Sequence, residues 1–129
     1  MEPRAQVKNA GDPRQVKRAG RKERERQELE QAAVVQVMAT PAGRIFAWSL
    51  LERAGVYASV FHPSASQIYY LAGRQDFGHE LIALLLESDE RAYQLMEAEA
   101  RARTRRENAA TDAAHTNSVT QGDGTDGNV

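Results

Sequence analysis

The chain has 129 residues, of which 41% are hydrophobic, 6% aromatic and 27% charged, and 17 Lys and Arg nearly balance 18 Asp and Glu. This length allows one domain, and no run approaches the roughly 20 consecutive apolar residues of a membrane span. Cysteine is absent, which removes disulfides, thiolate metal sites and cysteine nucleophiles.

Residues 1–20 read as a flexible basic arm. Up to residue 22 there are seven cations (Arg4, Lys8, Arg14, Lys17, Arg18, Arg21 and Lys22) against Glu2 and Asp12. No apolar segment for cleavage opens the chain, so the sequence predicts a protein retained in a cytoplasm. Lys17, Arg18, Arg21 and Lys22 suit non-specific phosphate contacts with DNA, which release counterions and weaken with salt. The competing reading is a solvated helix face. It gains weight after Lys22, where Glu23, Glu25, Glu28 and Glu30 alternate with Arg24 and Arg26.

Residues 21–39 predict a charged amphipathic helix, with Leu29, Ala32, Ala33, Val37 and Met38 at helical spacing. A helical core domain follows over 40–104 and contains every aromatic residue: Phe46, Trp48, Tyr57, Phe61, Tyr69, Tyr70, Phe77 and Tyr93. Thr40 before Pro41 is a start signal, since Thr caps free amides and Pro fits the first helical position. Gly55 is a stop signal. Residues 56–65 predict an ordered loop in preference to a short extended segment, and Ser64 with Gln67 has the spacing of a capping box. A third helix is expected over 65–87, with Gly73 and Gly78 marking close packing or a kink. A fourth opens at Ser88 with Asp89 and Glu90, and turns Tyr93, Met96 and Ala100 toward the others.

Beyond the core, Arg101, Arg103, Arg105 and Arg106 form a second basic cluster, and residues 105–129 predict a disordered tail, too poor in large apolar side chains to offset the entropy of ordering. The fold class is therefore all-α: a small three- to four-helix bundle with a long charged N-terminal helix and disordered tails.

Catalytic chemistry has little support. Asp76 and Glu80 share a helix face beside His79, the best local cluster of acid/base or metal-ligating groups, yet no second His stands at helical spacing. Phosphate-loop and nucleophile-elbow motifs are missing. The chain reads as a non-enzyme with no cofactor. An interface reading is better supplied: Tyr57, Phe61, Tyr69 and Tyr70 cluster around one loop, and a core of this size encloses few aromatics. Leu29 and Val37 on the first helix lack obvious partners within the chain, so self-association or docking to another chain competes with simple core packing.

The run Thr40, Pro41, Ala42, Gly43, Arg44, then residues 50–57 ending Ala54, Gly55, Val56, Tyr57, then 72–78 with Gly73, Arg74 and Gly78, and finally Tyr93, Gln94, Leu95, Met96 resembles a family of small proteins of tailed bacteriophages. Members occur among virion and head-assembly genes of short-tailed phages. The resemblance spans about residues 37–100; Ala72 replaces an expected acid, and Phe61, His62 and Pro63 replace a polar turn. It implies a structural role for Thr40, Pro41, Arg44, Gly55, Gly73, Arg74 and Gly78, with the glycines serving a helix end and close packing and the arginines serving buried or bridging ion pairs. It implies no activity. The expected function is that of a virion-associated structural protein, assembling with itself and with head, portal or ejected proteins, located in the virion and in the host cytoplasm during assembly. The alternative is a non-virion assembly factor or nucleic-acid binder using the basic arm.

Overall fold

A computed structural model describes residues 11–122. Four helices follow one another: α1 (Pro13–Met38), α2 (Pro41–Ala54), α3 (Ala65–Ser88) and α4 (Glu90–Gly122). The protein is all-α. The first ten residues of the expected arm and the last seven of the expected tail lie outside the described residues.

Helix α1 starts eight residues earlier than the hydrophobic pattern suggests, so residues 13–20 are helical rather than part of a flexible arm. The cause is local. The Asp12 carboxylate accepts from the Arg14 amide at 3.0 Å and Pro13 occupies the first helical position. The amphipathic pattern begins only where the helix meets the core, which is why it marks the wrong end.

An elbow of 111° separates α1 from α2. Thr40 caps α2 by accepting from the Gly43 amide at 3.0 Å, while its hydroxyl donates to the Val37 carbonyl. A Cβ at position 43 would collide with that same carbonyl oxygen, so the tightness of the elbow demands glycine there. Gly55 ends α2 in the left-handed region at φ 73°.

Residues 56–64 form the expected loop. Two further caps differ from expectation. Ser64 stands at the N-cap of α3 without capping it, because its hydroxyl is engaged with that of Ser66 at 2.9 Å. At the start of α4 the capping oxygen belongs to Asp89, which accepts from the Ala92 amide at 3.1 Å, while the Ser88 hydroxyl turns back to the Leu84 carbonyl.

The core joins all four helices: Met38, Ala47, Leu51, Leu85, Ala92, Tyr93 and Met96 are buried together, with Val34, Trp48, Val56, Leu81 and Ile82 packed against them. Burial pushes the Tyr93 phenol far above its ordinary pKa, with hydrogen bonding to Tyr57 and Glu97 adding to the shift. Helix α4 then continues beyond the core to Gly122, so the expected tail is helical as far as that residue. Residues 105–121 are exposed. Alanines at 109, 110, 113 and 114 favour the helix, and the Thr111, Thr116 and Thr120 hydroxyls each donate to the carbonyl four residues back. Composition correctly describes this segment as unable to pack, but that property does not decide between coil and solvated helix.

Candidate protein interface

The motif residues 40–44 assemble around Arg44, which is buried. Its guanidinium donates through Nε and Nη2 to the Glu99 carboxylate of α4, at 2.9–3.2 Å, and through Nη1 to the Met38 carbonyl at 3.0 Å. One side chain thus ties the end of α1 and the start of α2 to α4. Hydrogen bonding from Arg44 holds the Glu99 carboxyl below the usual glutamate range, and Glu99 in turn raises Arg44. Glu99 lies 55 residues away in sequence, so nothing local to Arg44 identifies it as the partner.

The two glycines of α3 divide. At Gly78 an added Cβ would collide with Val56 Cγ1 and come within 2.8 Å of Ala54 Cβ, so α3 crosses the end of α2 closely at this point. Gly73 has no neighbour within 4 Å of such a Cβ. Close packing therefore accounts for Gly78 and not for Gly73. Gly73 instead lines an open groove between α2 and α3.

That groove has a volume of about 580 Å³ and is lined by Leu50, Arg53, Ala54, Tyr69, Tyr70, Gly73, Arg74 and Phe77. Its floor is apolar and its cations stand at positions 53 and 74. Arg74 is exposed rather than buried in an ion pair; it donates to the Arg53 carbonyl and lies over the Tyr70 ring, 5.7 Å from the centroid. The Gln75 amide reaches the Gly55 and Ala58 carbonyls at 3.0 and 2.9 Å. Adjacent side chains of α3 therefore satisfy carbonyls at and beyond the end of α2, which fixes the two walls relative to each other.

Large apolar side chains around this face stay in solvent: Tyr69 is 78% exposed, Phe77 63%, Tyr70 61% and Phe46 59%. Isolated exposed apolar residues are ordinary, whereas several sharing one concave face mark an interaction surface. Of the other residues expected at an interface, Tyr57 stacks on Trp48 with centroids 5.3 Å apart, Phe61 projects from the loop, and Leu29 and Val37 are exposed on α1. Phe46 and Phe77 join the exposed set although neither is among the residues expected at an interface, because helical spacing places an aromatic on a face without saying which face is covered.

Lys17, Arg18, Arg21 and Lys22 are exposed. With Arg14 they follow i, i+3, i+4, i+7, i+8 spacing, so the helix gathers five cations on one face. In the second basic cluster Arg101 pairs with Glu97 at 2.9 Å, and Arg105 and Arg106 are exposed. Asp76, His79 and Glu80 lie exposed along α3, and none of them lines the groove. Among the described residues no group of three or more His, Asp or Glu side chains is arranged to hold a metal ion, and no single helix is long and apolar enough to cross a membrane.

Fold and surface together define a small helical protein with one consolidated core and an uncovered aromatic face. Residues 34–97 match the model of the Bbp19-like phage protein family, so the chain is similar to a phage protein family over just under half its length. The matched stretch contains the α1–α2 elbow, Arg44, and the whole of α2 and α3, hence the groove. No curated protein and no solved structure matches the chain.

Proposed function

We propose that this phage-related chain is a structural component of the phage particle, acting by protein–protein assembly with copies of itself and with head, portal or ejected proteins. The observation that carries this reading is the exposed aromatic face of α2 and α3, where Tyr69, Tyr70 and Phe77 line a cation-bearing groove and Phe46 is exposed on α2. Aromatic residues and arginine are enriched at protein interfaces, and the charge-poor floor suits the centre of one. Assembly in many copies multiplies weak contacts through effective concentration. Quantitative mass spectrometry of purified particles tests the proposal. A fixed ratio to the major capsid protein is the expected result, and absence from particles rejects it.

A second reading rests on a different observation, the cationic face of α1 formed by Arg14, Lys17, Arg18, Arg21 and Lys22. It makes the chain a nucleic-acid-binding assembly factor in the infected cell. Phosphate contacts then dominate, and affinity for duplex DNA falls steeply between about 50 and 200 mM salt. An apolar interface changes far less over that range.

A further inference from the structure

A second exposed surface lies on α1, at its distal end. Residues 13–22 carry Arg14, Lys17, Arg18, Arg21 and Lys22 and no acid. All five side chains are exposed, and none pairs with an acid among the described residues. They cover one face over about 12 Å of helix, at 1.5 Å per residue. The site is that side-chain face and not the helix end, where Asp12 already accepts from the Arg14 amide.

Such a face attracts a polyanion, and the rest of the segment says which kind. Beside the cations stand Pro13, Gln15, Val16, Ala19 and Gly20, with no aromatic and no large apolar side chain. A helix that lies on a membrane needs large apolar residues opposite its cations. Single-stranded nucleic acid is held by aromatic side chains on which bases stack. Duplex DNA needs neither. It presents one phosphate charge per about 1.7 Å of axis, so five cations spread along a helix each reach a phosphate whatever the base sequence.

The net charge of the chain is −1, and residues 40–100 set four arginines against eight acids, so the body of the protein repels DNA. Its helical arm separates the two. Val34 packs against the core, whereas residues 20–30 are all exposed. Lys22 and Arg14 stand about 18 and 30 Å from Val34 along the axis, beyond the roughly 10 Å over which charges act at 0.1 M salt. The intervening residues 23–30 mix four glutamates with two arginines. We infer that residues 14–22 of α1 form a sequence-independent contact for the phosphates of duplex DNA, held off the acidic core by the solvated shaft of the same helix. The groove is lined by α2 and α3 alone, so it stays open to a protein partner while the tip is bound. The arginines of α4 are a poorer site, since Arg101 pairs with Glu97, and Glu107 follows Arg105 and Arg106.

This inference rests on the nucleic-acid reading and specifies its contact. Fluorescence anisotropy of the full chain with two labelled duplexes of unrelated sequence, titrated across a salt series, tests it with two double variants of equal charge change: Lys17→Gln/Arg21→Gln on α1 and Arg105→Gln/Arg106→Gln on α4. All four side chains are exposed, and circular dichroism verifies that the helices persist. Wild type binds both duplexes alike and a single strand of equal length more weakly. The α1 pair makes the slope of log affinity against log salt shallower by about two and lowers affinity at least tenfold in about 50 mM salt, whereas the α4 pair changes it less than about threefold. Equal losses from the two pairs, an unchanged slope in the α1 pair, a strong preference for one duplex sequence, or tighter binding to the single strand or to phosphatidylserine vesicles overturns the inference. Duplex binding that survives the α1 pair and is lost with the α4 pair sinks the placement on α1 alone and leaves the nucleic-acid reading standing; a wild-type chain that binds no duplex sinks both.

Discussion

On its inner face α2 places Ala47 and Leu51 among Met38, Tyr93 and Met96, all buried, whereas its outer face leaves Phe46 exposed and Leu50 half-buried beside Tyr69, Tyr70 and Phe77 of α3. Both faces are apolar, and the outer one is the richer in aromatics. The inner face also holds a satisfied ion pair, Arg44 with Glu99, while the outer face holds Arg53 and Arg74 with no acid partner among the described residues. The difference teaches that hydrophobicity alone does not identify a core in a chain this small. Burial of the inner face stabilises the monomer, and the outer face contributes only when something covers it.

The comparison breaks most sharply at Leu51. Leu51→Ala removes a fully buried side chain and is expected to destabilise by about 2–5 kcal/mol, whereas Phe77→Ala on the outer face stays within about 0.5 kcal/mol, as thermal or urea unfolding reads directly. Next come the two glycines, which should respond with opposite sign. Gly78→Ala forces a methyl into Val56 and Ala54 and costs about 1–2 kcal/mol net, while Gly73→Ala adds helix propensity in open space and gains about 0.5–1 kcal/mol. Equal effects at both sites contradict the assignment of one to packing and the other to a groove.

A pH series sharpens the electrostatic half of the comparison. The carboxyl of Glu99 titrates below its unfolded value, so its stabilising contribution is present above the ordinary glutamate range and is lost as pH falls through the folded pKa. The melting temperature of wild type should exceed that of Glu99→Gln at neutral pH, and the gap should close on acidification below about pH 4. A gap that is constant with pH removes the ion pair from the account. The smallest effect concerns the exposed end of α4. A chain ending at residue 107 loses helical ellipticity but keeps its unfolding midpoint, within about 0.5 kcal/mol, since residues 108–121 are exposed and lie beyond the core.

Several of these features were legible from residue order. Thr40 with Pro41, and Gly55, carry their structural meaning in their own side chains and dihedral limits, so α2 is bounded correctly by chemistry acting over three or four residues. Tyr93, Met96 and Ala100 also point inward as their spacing predicts. The Asp12–Pro13 start was equally local, but it precedes the apolar stripe by more than four turns and is overlooked when the stripe defines the helix. Other features are not local at all. Arg44 finds Glu99 across the bundle, Gly78 meets the end of α2, and Gly43 answers to a carbonyl at the elbow; only the fold supplies those neighbours. The groove is least legible, because it consists of what Leu50, Gly73 and Phe77 fail to touch.

The central claim is that the outer face of α2 and α3 is covered in the assembled state. Hydroxyl-radical footprinting of the free chain and of purified phage particles measures this residue by residue, with buried Tyr93 and Met96 as internal references. The account predicts that Tyr69, Tyr70 and Phe77 are readily oxidised in the free chain and protected in particles. Equal labelling of all three in both samples would contradict it.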